Sequence, residues 1–290
     1  MQNPTMSAVS EIGERNADRL VKEIGIPPCP AILTKLLREA RAEDPDFRRV
    51  GQLVGGDVAL ASAVLKIANS PFYGLRSKAA SVQQALVLLG LNAVTQLVTG
   101  LLLRQAFSGV AGPGMERYWK ASMATSLIAA LLCRETRRGD SGIACTYGLF
   151  RDCGMPVMLQ KFPIYADIFD GSALTPGEPV LEIENERYAT NHALVGAQLA
   201  RSWLLPESMC FAIAQHHDLL YSDENLKQAG AEALNLIATG LAAEQLYCAA
   251  TGACSPEWSL AGEWVLFELG LTQGGFDAIG VRVRDSIGHL

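Results

Sequence analysis

Residues 54–98 read VGGDVALASAVLKIANSPFYGLRSKAASVQQALVLLGLNAVTQLV, and the punctuation of this stretch decides the fold. Asp57 follows two glycines and precedes an apolar run, the position from which a carboxylate caps free helical N–H groups. The run Val58–Ala68 is stopped by Asn69-Ser70-Pro71, and Tyr73-Gly74 supplies a turn. Ser81 with Gln84 three residues on has capping-box spacing, so a helix is expected over Val82–Leu89. Another, Asn92–Phe107, is expected beyond Gly90. The segment 79–103 carries no charge, yet Gln83, Gln84, Asn92, Thr95, Gln96 and Thr99 would be costly in hydrocarbon. It reads as two buried helices joined near Gly90, with no membrane insertion.

Outward from this stretch the period stays helical. Ile12, Leu20, Val21 and Ile24 stripe a first helix that stops before Pro27-Pro28. Ile32, Leu33, Leu36 and Leu37 mark a second, and Phe47, Val50, Leu53 and Val54 a short third. A strong helix is expected from about Glu116 to Arg137, with Arg134, Arg137 and Arg138 complementing its C-terminal dipole. Further helices are expected at 142–151, 155–169, 179–188, 191–203, 206–217, 229–251 and 257–269. Runs of Val and Ile at period two are nearly absent, so the expected class is all-α with no significant sheet. There is no internal repeat. The expected division is an N-terminal helix (1–25), a helical half (26–112), a second helical half (113–220) and an acidic helical extension (221–290) that also contributes to the core. The seam between the halves is SGVAGPG, residues 108–114, and a second break falls around Asp170–Glu182.

Apolar residues form 49% of the chain and charged residues 19%, which excludes disorder and simple coiled coil. The net charge of −6 argues against a general nucleic-acid binder. Residues 1–164 hold nineteen bases against thirteen acids, net +6, whereas residues 165–290 hold five against seventeen, net −12. No acid lies between Asp57 and Glu116, which leaves a nucleic-acid contact along that segment as a minor alternative. The seven cysteines are scattered without CxxC spacing, and the N-terminal residues hold no apolar signal core. Reduced thiols and a cytoplasmic location are expected.

Three places could carry chemistry. Arg151-Asp152 ends an apolar helix in YGLFRDCGMPVM, and a cation beside the aspartate should repel a metal ion rather than coordinate it. His192 opens the helix HALVGAQLARSW, capped by Thr190 or Asn191, and His216-His217 close PESMCFAIAQHH. Neighbouring imidazoles splay apart on a helix, so both can join His192 only if the helix ends there. The turn ANSPFYGL, with Asn69, Ser70, Phe72, Tyr73 and Gly74, reads as a rigid corner. HExxH, GxSxG and phosphate-loop spacings are lacking.

In order, IPPCPAILTKLL, the stretch quoted above, YWKASMAT, YGLFRDCGMPVML and HALVGAQLARSWLLPESMCFAIAQHH resemble the HDOD family, a bacterial signalling-output relative of the HD phosphohydrolases. The resemblance runs from about Ile26 to His217. It implies a helical HD-like scaffold whose metal ligands should be a histidine, a His-Asp pair and a later aspartate. Carried over, these fall near Ala121, on Arg151 and Asp152, and near Thr239, so only Asp152 survives. The implied protein is a non-catalytic, cytoplasmic signal-transduction module with no catalytic residue, no metal and no cofactor. Its expected partners are signalling proteins, including separate receiver, kinase or cyclic-dinucleotide domains, since no receiver domain is visible in the chain. Two alternatives stay open. One is a sensor that receives a nucleotide on Arg151, with His192 and His216 or His217. The other is a residual metal-dependent phosphohydrolase using Asp152 and the three histidines.

Overall fold

The computed structural model describes residues 19, 22–23, 29–69, 73, 75, 77–110, 114–171, 180–217, 229–252, 255 and 257–287. Among these every regular element is a helix, in agreement with the all-α expectation. The helix expected over residues 12–24 lies almost wholly outside the described residues, as do Ser70, Phe72 and Gly74 of the corner.

The first group contains α1 (Ala31–Ala40), α2 (Phe47–Gly55), α3 (Val58–Ala68), α4 (Val82–Leu89) and α5 (Leu91–Ala106). Their starts follow the sequence signals. Asp46 accepts from the N–H groups of Arg48 and Arg49, and Asp57 accepts from that of Leu60. The Ser81 hydroxyl accepts from the Gln84 backbone N–H at 3.2 Å, while the Gln84 side-chain oxygen Oε1 accepts from the Ala80 N–H at 2.7 Å. Gly90 breaks the uncharged segment with φ +85, on the side of φ/ψ space open chiefly to glycine. No single helix among the described residues is long and apolar enough to cross a membrane.

Asn69 explains the corner. Its side-chain amide donates to the Ala79 carbonyl at 2.9 Å and its oxygen accepts from the Ala79 N–H at 2.7 Å, stapling the end of α3 to the approach to α4. Tyr73 packs against the core. Asn69→Ala should remove both bonds and cost about 1–3 kcal/mol, read as a lower urea midpoint at unchanged slope.

The second group begins with α6 (Met115–Thr136), followed by α7 (Ser141–Phe150), α8 (Gly154–Lys161), a 3₁₀ turn (Pro163–Tyr165) and α9 (Ala166–Phe169). The single helix expected over 155–169 is thus broken, because Pro163 cannot donate to the ladder and Phe162 before it is extended. Next come α10 (Val180–Tyr188), α11 (His192–Ser202), α12 (Glu207–Gln215), α13 (Ala231–Thr251), α14 (Trp258–Leu269) and α15 (Gln273–Ile287). The last helix was not expected, since QGGFDAIGVRV carries two glycines in its first turn. It earns its place through Phe276, Ile279 and Val283, which all enter the core.

One apolar core runs from Leu33 to Val283. That core includes residues on both sides of the expected seam, and α5 packs on α7. Helix α13, inside the expected extension, packs against α6, α7 and α12. At the centre Trp203, fully buried, meets Phe150 edge-on with ring centroids 5.7 Å apart. These helices converge on the corner between α7 and α8.

Candidate metal centre

Asp152 sits in that corner, in a turn that Arg151 opens as the C-cap of α7. Helix α11 approaches the corner so closely that a Cβ on Gly154 would stand 1.9 Å from the His192 carbonyl oxygen. Glycine at 154 therefore sets the distance from Asp152 to His192, the first residue of α11. Asn191 caps that helix by accepting from the Leu194 N–H at 2.9 Å. Helix α12 stops at Gln215 with His216 as its C-cap, and the His216 and His217 rings lie 4.1 Å apart, centroid to centroid. The condition under which both could join His192 is met.

One donor atom each from Asp152, His192, His216 and His217 lies within 4.8 Å of all the others. The His216 Nε2 stands 3.2 Å from Asp152 Oδ1 and the His192 Nε2 3.7 Å from it. The Nε2 atoms of His192 and His217 are 3.2 Å apart. The other face of each ring is held from behind. His192 Nδ1 lies 2.8 and 2.9 Å from the two oxygens of Glu184, His217 Nδ1 meets Glu257, and His216 Nδ1 donates to the Ile213 carbonyl at 2.7 Å. Glu184 is fully buried and takes further bonds from the His192 backbone N–H and the Tyr165 hydroxyl. His192 and His216 are buried, whereas Asp152 keeps a third of its side chain exposed and opens the site to solvent.

Arg151 does not behave as the sequence implied. It is 3% exposed, and Nη2 reaches Glu244 at 2.9 Å and Glu257 at 3.6 Å. The guanidinium is thus neutralised by two acids on α13 and at the start of α14, and Asp152 stays turned to the imidazoles. The expectation of a lone carboxylate beside a repelling cation is corrected: the carboxylate is one of four clustered donors. Ala121, half-buried on α6, offers no ligand atom, and Thr239, fully buried on α13, offers only a hydroxyl. Glu184, Glu257 and Glu244 had no role in the sequence reading. Glu184 was accessible, because it shares a helical stripe with Leu181 and Tyr188, an acid on an apolar face. Glu257 had no such signal, since an acid in a first helical turn is ordinary.

The charges are interlocked. Burial opposes the ionisation of Asp152, but Arg151 and the imidazoles of His216 and His192 outweigh it and hold the carboxyl well below its ordinary range. Burial likewise opposes Glu184, and His192 with Tyr165 overrides it. Glu257 is drawn down to about 2 against burial, chiefly by His217 and then by Arg151. Burial and then His217 push His216 down to about 3, whereas Glu257 raises His217 against burial. The lowered carboxylates contribute stability that is present above about pH 4.5 and is lost as pH falls through their folded values. His216 acts in the same direction from about pH 6.5 downward, because the unfolded chain takes a proton that the folded site refuses, and His217 opposes it. For the metal-free chain, urea midpoints should therefore drop steeply between about pH 4.5 and 3; a flat profile there would contradict these assignments.

Whether this donor set suits a metal ion can be judged from its chemistry. Three imidazole nitrogens and one carboxylate oxygen suit a borderline transition ion and not magnesium or calcium, which prefer oxygen. The residues fit.

A helical HD-like domain with a histidine and aspartate cluster at the meeting of its helices is the class that fold and site define. The HDOD domain model matches residues 26–219, and the chain belongs to the HDOD domain family. A solved HDOD domain protein of unknown function from Geobacter sulfurreducens superposes with a TM-score of 0.74 at 20% identity, covering 96% of this chain and 98% of that one. A Marinobacter aquaeolei VT8 protein, named as a candidate signal transduction protein, gives 0.73 at 24% identity over 97% of this chain and 64% of its own. An uncharacterized Treponema pallidum protein is 25% identical over 230 residues, 78% of this chain. The chain spans less than half of the curated relatives it matches, 43% of that one and 28% of the Bacillus subtilis protein YuxH.

Proposed function

We propose that this chain is a non-hydrolytic signal-transduction module that acts by binding other signalling proteins through its helical surface. The observation that carries the reading is Arg151, a buried guanidinium paired with Glu244 and Glu257 at the position where the family resemblance places a metal-binding histidine. A hydrolytic phosphodiesterase centre of that kind needs further donors and a coordination position open to water. Ala121 and Thr239 supply neither of the remaining ligands. Exposed apolar side chains on separate helices, Phe267 at 81% and Leu260 at 66% on α14, and Val58 at 79% on α3, suit contacts with other proteins better than a solitary role. The location remains cytoplasmic in this reading.

The test is an assay of the full chain on bis-p-nitrophenyl phosphate and cyclic dinucleotides with added Mn²⁺, Mg²⁺ or Zn²⁺. No turnover above the buffer rate is expected. Turnover that disappears in Asp152→Asn would establish a phosphohydrolase instead.

A further inference from the structure

We propose that this chain binds a free aliphatic α-amino acid in a cavity of about 210 Å³ where α1 and α5 meet α7 and the start of α12. The uncharged segment 79–103 points to it. Its polar residues Asn92, Thr95, Gln96 and Thr99 fall at i, i+3, i+4 and i+7 of α5, one stripe of the helix. All four line the cavity, and Thr95 and Thr99 are buried. A polar stripe turned inward costs stability unless each group finds a partner. The Thr99 hydroxyl has one, donating to the Thr95 carbonyl at 2.8 Å, and on the α7 wall the Thr146 hydroxyl donates to the Gly142 carbonyl at 3.3 Å. Thr95 Oγ1 and Gln96 Oε1 are buried and have no hydrogen-bond partner among the described residues.

The chemistry around these atoms selects the ligand. Arg41, the C-cap of α1, and Asp140, the N-cap of α7, line the same cavity and are exposed. Arg41 Nη2 donates to the Leu204 carbonyl at 3.3 Å, and Asp140 Oδ1 accepts from the N–H groups of Gly142 and Ile143. Neither charge is in an ion pair among the described residues. A cavity with an unneutralised cation and anion fits a zwitterion, the guanidinium taking a carboxylate and the aspartate an ammonium. Glycine at 142 brings the Gln96 amide beside Asp140, since a Cβ there would stand 2.3 Å from Gln96 Nε2 and 2.7 Å from Asp140 Oδ1. The hydroxyl hydrogens of Thr99 and Thr146 are spent on carbonyls, so their oxygens, with Gln96 Oε1, can only accept, as an ammonium requires. Leu37, Ile143, Leu205 and Met209 make the rest of the lining largely apolar, which suits an aliphatic side chain.

Size sets the limit. Pockets for drug-sized molecules run to roughly 300–1,000 Å³, so this cavity takes something smaller. A nucleotide is both larger and without the ammonium that Asp140 and the threonines would accept. An occupant touching α1, α5, α7 and α12 would tie helices on either side of the 108–114 segment into one arrangement, which makes the amino acid an input to the module. The inference does not rest on the absence of hydrolysis, because none of these residues belongs to the histidine and aspartate cluster.

The test is thermal melting of the full-length chain with each of the twenty standard amino acids at about 10 mM, followed by calorimetric titration of those that shift it. An aliphatic amino acid such as leucine or valine should bind one per chain and raise Tm by about 4 °C at roughly 100 times its Kd. The matching amine without the carboxylate, and the matching acid without the amine, should each bind at least roughly 10-fold more weakly. Arg41→Ala, at an exposed site, should fold as the wild type does and weaken binding at least roughly 10-fold. Arg38→Ala, exposed on α1 and outside the cavity, should leave binding unchanged. Thr95→Val keeps the shape and removes the unpartnered hydroxyl, so it should raise Tm of the free chain while weakening amino-acid binding. A purely structural threonine would not move those two readouts in opposite directions. The proposal is overturned by the absence of a saturable shift with any of the twenty, or by a response confined to charged or aromatic amino acids. It is overturned equally by an amine or acid analogue that binds as tightly as the amino acid, or by binding that neither Arg41→Ala nor Thr95→Val weakens.

Discussion

Gly154→Ala is expected to lower the melting temperature by about 5 °C. The new Cβ would fall 1.9 Å from the His192 carbonyl oxygen and 2.7 Å from the Gly196 nitrogen, so backbone meets backbone and no side chain can swing away. Helix α11 must retreat from α8, at a cost of about 3 kcal/mol, and each kcal/mol is worth about 1.6 °C at 290 residues, given about 2.1 cal/mol/K of unfolding entropy per residue. Gly274→Ala is the control. Nothing lies within 4 Å of a Cβ there, and alanine in a helix should stabilise by about 0.5–1 kcal/mol. Equal melting temperatures for the wild type and Gly154→Ala would refute the close approach on which the site geometry depends.

Arg151→Ala should be the second largest, a loss of about 2–3 kcal/mol. Removing the guanidinium leaves Glu244 without its ion-pair partner and Glu257 with His217 alone. The figure sits below the range for fully buried pairs because Glu244 and Glu257 keep 33% and 21% of their side chains exposed. Adding Glu244→Gln to Arg151→Ala should recover part of the loss, and the double-mutant cycle should give a coupling of at least about 0.5 kcal/mol. Additivity of the two substitutions would mean that the ion pair contributes nothing.

Much of the fold was written in local signals. Asp57, Ser81 with Gln84, Gly90 and Asn191 stand where capping and chain reversal require their side chains, and each boundary depends on a few neighbouring residues. Where the chain departs from that reading, local rules met a competing one. Pro163 split an expected helix through its missing N–H. At α15 burial of Phe276, Ile279 and Val283 overrode two glycines, because packing energy is gained only once the rest of the core exists.

The site was legible in parts. Asp152, His192, His216 and His217 were each singled out from the sequence, and their grouping stood there only as an alternative. Composition and helical period settle which residues can be donors and that the chain forms a bundle. They do not settle where donors separated by 40 or 64 positions in sequence come to rest. That was decided by a glycine that lets two backbones touch, by a helix that ends just before a histidine pair, and by acids on α13 and at the start of α14 that pair with Arg151. Hydrogen-bond and Coulomb energies vary over a few ångströms, and separations on that scale between remote segments are properties of the folded packing alone.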